Sequence, residues 1–133
     1  MRFMMMIYPQ IDEADWGPRA EDVEAMMGYN RELTDAGVLL AVDGLHSGSS
    51  GARVTFSADG DASVTDGPFA EAKELIGGYW MIDVRSRDEA LEWARRIPGR
   101  DCTVEVRQVQ EREDFPAEVQ ALIDEQPLGP LGA

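Results

Sequence analysis

Segments with strand periodicity and segments with helix periodicity alternate along the chain in the order strand, helix, strand, hairpin, strand, helix, strand. Residues 3–8 are apolar on both faces, residues 79–85 form a second strong strand pattern, residues 38–42 form a continuous apolar run, and residues 102–109 alternate apolar and polar side chains. The run at 38–42 predicts a buried strand. Two strand–helix–strand units separated by an antiparallel hairpin predict an α+β fold of the ferredoxin-like type.

Each predicted helix has end signals and a single apolar face. The first spans residues 21–36, with Gly37 as its C-cap, and its apolar face also includes Asn30. The apolar residues of that face are Val23, Met26, Met27 and Leu33. The second helix begins with a capping box of Ser86 and Glu89 and buries Ala90, Trp93, Ala94 and Ile97. With one apolar face apiece, both helices can cover the same side of one antiparallel sheet.

The hairpin between the two units has a strong turn signal. Residues 53–57 and 62–65 are strand-like and flank Asp59-Gly60, a two-residue turn of the favoured kind. Residues 47–51 have loop composition, and Gly67-Pro68 ends the second strand of the hairpin.

Strand alternation divides the sheet into a helix-facing side and a second side, which we call the outer face. The helix-facing residues are Phe3, Met5, Ile7, Trp80, Ile82, Val84, Val104 and Val106. The outer face has Met4, Met6, Tyr8, Tyr79, Met81, Asp83, Thr103, Glu105 and Arg107. This face is too apolar to stay in water and too charged for a dry core. It predicts a homodimer in which two sheets enclose a partly polar cavity. The alternative is a monomer whose C-terminal segment covers the outer face.

Composition narrows the classes of partner and compartment. The chain has 133 residues and a formal charge of −14, which argues against nucleic acid and anionic membrane surfaces as partners. Its one cysteine, Cys102, rules out an intrachain disulfide and fits a small buried apolar residue. No targeting signal or membrane span is evident, so we expect a cytoplasmic protein. A single histidine and the absence of Cys/His clustering predict no metal site, and no cofactor is expected.

Residues 66–74 read DGPFAEAKE and residues 77–83 read GGYWMID, and together they resemble the signature of the YCII-related family, in its DGPF branch. The resemblance extends over residues 1–110, and we expect residues 111–133 to be an acidic C-terminal extension with a short helix at 118–125. It implies a bacterial, cytoplasmic, ferredoxin-like dimeric α/β barrel. The resemblance also implies that some relatives are associated with extracytoplasmic-function sigma factors. The better-known branch is thought to use a His–Asp pair with the His on the first helix, which here has no histidine.

Two residues at strand ends are candidates for catalysis. Asp66 could be a general base, and His46 is the one side chain expected to titrate near neutral pH. The alternatives are that Asp66 forms the turn before Gly67-Pro68 and that His46 is a solvated loop residue. Ser47 and Ser49 lack the nucleophile-elbow pattern of a Ser–His–Asp hydrolase.

Five outer-face residues are candidates for ligand binding. They are Tyr8, Tyr79, Asp83, Glu105 and Arg107. A carboxylate beside Arg107 could bind a polar ligand or shift a pKa, and the alternative is an ion pair between two subunits. The sequence therefore predicts small-molecule binding near the sheet, with a cofactor-independent acid/base enzyme as one form. A non-catalytic ligand-binding or regulatory module, or an assembly protein that uses the C-terminal extension, are the alternatives.

Overall fold

The computed structural model describes residues 1–69 and 74–126 and confirms the α+β fold. The strands are β1 Arg2–Pro9, β2 Leu39–Gly44, β3 Ala52–Phe56, β4 Ala62–Asp66, β5 Gly78–Asp83 and β6 Cys102–Gln108. The helices are α1 Ala20–Asp35, α2 Arg87–Arg95 and α3 Ala117–Glu125, with 3₁₀ turns at Glu13–Asp15, Gly48–Ser50 and Arg112–Asp114. The family-like residues 70–73 and the end of the predicted extension, 127–133, lie outside the described residues.

The main sheet has the strand order β2-β5-β1-β6, and each neighbouring pair is antiparallel. The two strand–helix–strand units therefore interleave, because β5 lies between β1 and β2. This arrangement is consistent with the predicted ferredoxin-like fold. The strand order places the end of β1, the end of β2 and the start of β5 next to one another at the same end of the sheet.

The hydrophobic core lies between this sheet and the two helices α1 and α2. Phe3, Met5 and Ile82 are buried, and residues from both helices join them in one cluster. Every residue predicted to face the helices belongs to this cluster or packs against it. The strand parity inferred from the sequence is therefore confirmed, and the outer face is the side opposite the core.

The apolar face of α1 differs from the prediction. Tyr29 and Leu33 are buried, whereas Met27 is 58% exposed. Tyr29 fits because it donates a hydrogen bond of 2.6 Å to the carbonyl of Trp93 and packs edge-on against Trp80 at 5.8 Å. A tyrosine ring can be buried where its hydroxyl finds a hydrogen-bond acceptor. The sequence analysis left Tyr29 out of the apolar face of α1, and the predicted face was therefore displaced around the helix axis.

The prediction of a buried second strand was wrong. Among the strands of residues 1–69 and 74–126, β2 pairs with β5 alone and forms one edge of the main sheet, and all of its residues are exposed or half-buried. The pairing shifts between Leu39 and Ala41, which leaves Leu40 as an exposed extra residue. An apolar run cannot distinguish a central strand from an edge strand whose bulge interrupts the ladder.

The end signals at Gly37 and Ser86 are confirmed, whereas the capping box predicted for the second helix forms only in part. Gly37 has a φ of +73°, a conformation that favours glycine, directly after α1. The Ser86 hydroxyl accepts a hydrogen bond of 3.1 Å from the Glu89 amide, as an N-cap does. The Glu89 carboxylate accepts from the amide of Arg85, one residue before the donor expected in a capping box.

The hairpin is confirmed as a separate two-stranded sheet of β3 and β4, which we call the ribbon. The predicted two-residue turn at Asp59-Gly60 was wrong in length. The Gly60 amide donates to the Ser57 carbonyl at 3.0 Å and the Ser57 amide to the Asp61 carbonyl at 2.9 Å, so residues 58–60 form a three-residue loop in which Gly60 has a φ of +88°. Every residue of both strands is exposed, so the ribbon lies outside the core of the main sheet.

Candidate functional site

The outer face combines methionines, tyrosines and charged groups. Met4, Met6 and Met81 are half-buried, as are Tyr8 and Tyr79. The pairing register places Met81 beside Met4, and Tyr79 beside Met6. The centre of the outer face is therefore an apolar surface of flexible thioether side chains with a tyrosine on two of its strands.

A hydrogen bond between two strands gives this surface a polar anchor. The Tyr79 hydroxyl donates to Oδ2 of Asp43 at 2.7 Å, from β5 to the edge strand β2. The hydrogen bond to the Asp43 carboxylate raises the pKa of Tyr79, so the phenol keeps its proton at neutral pH. The second carboxylate oxygen of Asp43 remains an acceptor for a ligand.

Asp43 was missed in the sequence analysis because it follows the apolar run of β2. Its register against Tyr79 is the signal that could have found it, since residues directly opposite in an antiparallel pair lie on the same face. The strand order was needed to see that β2 and β5 are neighbours.

Of the other predicted ligand-binding residues, Asp83 lies at the end of β5, and Glu105 and Arg107 lie on the edge strand β6. Asp83 is bonded by the amino group of Met1 at 3.1 Å. On β6, Nε of Arg107 lies 3.9 Å from a Glu105 oxygen, and the Arg107 side chain is mostly exposed. The loose geometry leaves the Arg107 guanidinium free to reach other groups in front of the sheet.

Glu13 joins the loop that follows β1 to the loop that follows β2. Its Oε1 accepts a hydrogen bond of 2.8 Å from the Ser49 amide. Hydrogen bonds from the hydroxyls of Ser47 and Ser49 lower the pKa of Glu13, so it is a carboxylate at neutral pH. The two serine hydroxyls are also 2.8 Å apart. These serines therefore stabilise a loop, and their hydroxyls are engaged with each other and with Glu13.

The structure places His46 and Asp66 on two segments that touch. The amide of Gly67 donates to the carbonyl of Gly51 at 2.9 Å. A Cβ on Gly67 would lie 1.7 Å from the Gly48 carbonyl oxygen, so only glycine permits this approach. His46 and Asp66 are both exposed, and no hydrogen bond or ion pair joins them within residues 1–69 and 74–126. The predicted acid/base pair is thus not assembled in this conformation.

Cys102 and Asn30, which the sequence analysis also singled out, have contacts that indicate structural roles. Burial raises the pKa of the Cys102 thiol, which favours packing over nucleophilic reactivity. Asn30 accepts a hydrogen bond of 2.7 Å from Nε1 of Trp80. No group of three or more His, Cys, Asp or Glu side chains that could hold a metal ion occurs in the described part of the chain. No helix among the described residues is long and apolar enough to cross a membrane.

The C-terminal extension is anchored next to the outer face. Arg2 on β1 donates two hydrogen bonds to the Glu111 carboxylate, at 2.6 and 3.0 Å. Arg112 holds Asp124 of α3 in the same bidentate way, at 2.7 and 2.6 Å. The predicted short helix is confirmed as α3, and its Leu122 is exposed.

The fold and the site define an α+β protein whose antiparallel sheet has helices on one face and a mixed apolar and polar surface on the other. The model of the YCII-related domain family matches residues 1–113, so the chain belongs to the YCII-related family. It is also 45% identical over 100 residues to an uncharacterized protein of Rhizobium meliloti (strain 1021), covering 73% of this chain and 80% of that protein.

Proposed function

We propose that the protein is a homodimer that binds a small molecule between the outer faces of its two sheets. The observation that carries this proposal is the outer face itself, where half-buried methionines and tyrosines surround the hydrogen-bonded pair of Tyr79 and Asp43. Ligand sites are usually mostly apolar with a few convergent polar groups, and this surface has that composition.

A second copy of the chain supplies the enclosure that a single sheet lacks. A ligand on an open sheet would keep one side in water, so little of its apolar area would be buried. Facing sheets can enclose a ligand on both sides, and the flexible methionines can adapt to its shape. The exposed Arg107 and Glu105 side chains can then reach charged groups of the partner or of the ligand.

The polar groups favour a ligand with an apolar body and a hydrogen-bond donor. The free oxygen of Asp43 accepts a hydrogen bond from an amine, amide or hydroxyl group. The net charge of −14 attracts cations and repels anions at long range. We therefore propose neutral or cationic ligands in preference to carboxylates.

A thermal-shift screen tests this function. The panel contains pairs of compounds with one carbon skeleton, such as cyclohexylmethylamine and cyclohexanecarboxylate. We expect stabilisation by amines or alcohols, and a dissociation constant at least roughly tenfold higher in Asp43→Asn, which loses the anionic acceptor. Glu24→Gln on the exposed side of α1 is the matched control. Equal binding of both members of a pair, or equal affinity in Asp43→Asn, would contradict the proposal.

Acid/base catalysis by His46 and Asp66 is the second candidate function. The contact between their two segments, at Gly48 and Gly67, favours it because a ligand or a loop movement could bring the two side chains together. For a substrate that the protein turns over, His46→Ala and Asp66→Asn should each reduce kcat. Full activity in both variants would eliminate this candidate and leave the binding function.

A further inference from the structure

The non-aromatic apolar side chains on the outer face of β1 and β5 are all methionines. They are Met4 and Met6 on β1 and Met81 on β5, and each is half-buried. On the opposite face the same two strands also use Ile7 and Ile82, and β-branched side chains are enriched in strands generally. The outer face therefore concentrates three of the seven methionines of the chain in one place.

The strand register brings these three thioethers close together. Met1 and Val84 exchange two backbone hydrogen bonds, of 2.8 and 2.9 Å, so alternate pairs along β1 and β5 are hydrogen-bonded. Met4 and Met81 fall between such pairs, where opposite Cα atoms lie about 4.5 Å apart and side chains are closest. Met6 lies two residues along β1, at about 6.8 Å from Met4, and about 7–8 Å diagonally from Met81. Three rotatable bonds let each sulfur turn toward the space above this triangle.

We propose that the sulfurs of Met4, Met6 and Met81 bind a soft monovalent cation, Cu(I). Thioethers are soft, neutral ligands that select Cu(I), whereas carboxylates suit harder ions such as Mg²⁺ and Ca²⁺. Within residues 1–69 and 74–126, no three His, Cys, Asp or Glu side chains form a competing site. The prediction of no metal site considered only histidine and cysteine, and this inference goes beyond it and beyond the proposed function.

The charges around the three sulfurs permit a bound cation. Arg107 lies opposite Met4 on β6, and Glu105 lies opposite Met6. Nε of Arg107 is 3.9 Å from a Glu105 oxygen, so the carboxylate offsets the charge of the guanidinium. Asp43 adds a second carboxylate on the same face. The net charge of −14 also attracts cations at long range.

The test follows the methionine methyl groups by NMR, in protein labelled with ¹³C at those groups. Silver nitrate in chloride-free buffer supplies Ag(I), a soft monovalent ion that is stable in air. All samples carry Cys102→Ala, because a thiolate also binds soft ions. We expect the signals of the three outer-face methionines to shift together and to saturate at one Ag(I) per chain, while those of Met26 and Met27 on α1 stay unchanged. Cu(I), added without oxygen, should shift the same three signals, and Zn²⁺ should not.

A matched pair of double variants tests whether the outer-face sulfurs hold the ion. Met4→Leu with Met81→Leu removes two of the three sulfurs at similar side-chain volume, and Met26→Leu with Met27→Leu removes two sulfurs from α1 as the control. We expect the dissociation constant for Ag(I) to rise at least about tenfold in the first variant and to stay unchanged in the control. Far-UV circular dichroism checks that both variants keep the fold.

The outcomes separate this inference from the proposed function. Equal shifts at Met26 and Met27, or equal affinity in the two double variants, would show that any thioether of the chain binds the ion and would overturn the site. Outer-face signals that do not move with Ag(I) or Cu(I), or that move with Zn²⁺, would overturn it as well. None of these results bears on the amine panel and Asp43→Asn, which decide the small-molecule function.

Discussion

The substitution Asn30→Ala tests whether the hydrogen bond between Asn30 and Trp80 stabilises the packing of α1 on the sheet. Trp80 is 4% exposed, and its Nε1 donates to Oδ1 of Asn30 at 2.7 Å. Asn30→Ala leaves that buried donor without its acceptor, at a cost of about 1–3 kcal/mol. Alanine regains roughly 0.5 kcal/mol through its higher helix propensity. The expected net loss of unfolding free energy is roughly 0.5–2.5 kcal/mol, or about 2–10 °C in Tm.

Urea unfolding followed by circular dichroism measures this loss, with Arg31→Ala on the exposed side of α1 as the control. A double-mutant cycle with Trp80→Phe isolates the hydrogen bond, because phenylalanine has no donor. We expect a coupling energy of at least about 0.5 kcal/mol between Asn30 and Trp80. A coupling energy near zero, or equal stability of Asn30→Ala and Arg31→Ala, would refute the role of Asn30.

Three further predictions concern the loops and the core. The folded-state pKa of Glu13 is lowered, first by the Ser47 hydroxyl, so its stabilising contribution is complete above the unfolded value and lost as pH falls through the folded value. Glu13→Gln should therefore flatten the fall in Tm between about pH 5 and about pH 3, and an unchanged pH profile would rule this out. Gly67→Ala should lower Tm because its Cβ would overlap the Gly48 carbonyl, and wild-type stability would show that the two segments separate freely. Leu33→Ala should cost about 2–5 kcal/mol in urea unfolding, since Leu33 is fully buried, and a loss under about 1 kcal/mol would place it outside the core.

Strand parity was predictable because apolar alternation along β1 and β6 depends on local geometry. Met5 and Val106 face the helices, as their position in the alternation requires. The place of the hairpin turn at Gly60, though not the length of its loop, and the cap at Gly37 were predictable for a similar reason, since each depends on a conformation that glycine adopts readily.

Features that depend on pairing between distant strands were not predictable. The exposure of β2 follows from its place at the sheet edge, and the pairing of Asp43 with Tyr79 follows from the same strand order. Burial of Tyr29 depends on an acceptor in α2, 64 residues away in the chain. Glu13 reaches Ser49 across 36 residues, and no local pattern marks that contact.

Shielding of the outer face by a second copy is tested most directly by methionine oxidation. Met27 is 58% exposed on α1 and Met81 lies half-buried on the outer face. With hydrogen peroxide and peptide mass spectrometry, Met27 should oxidise at one rate at every protein concentration. Met81 should oxidise slowly at high concentration and faster after dilution, as chains of 14.7 kDa separate. A Met81 rate that does not depend on concentration would contradict the enclosed site between two sheets.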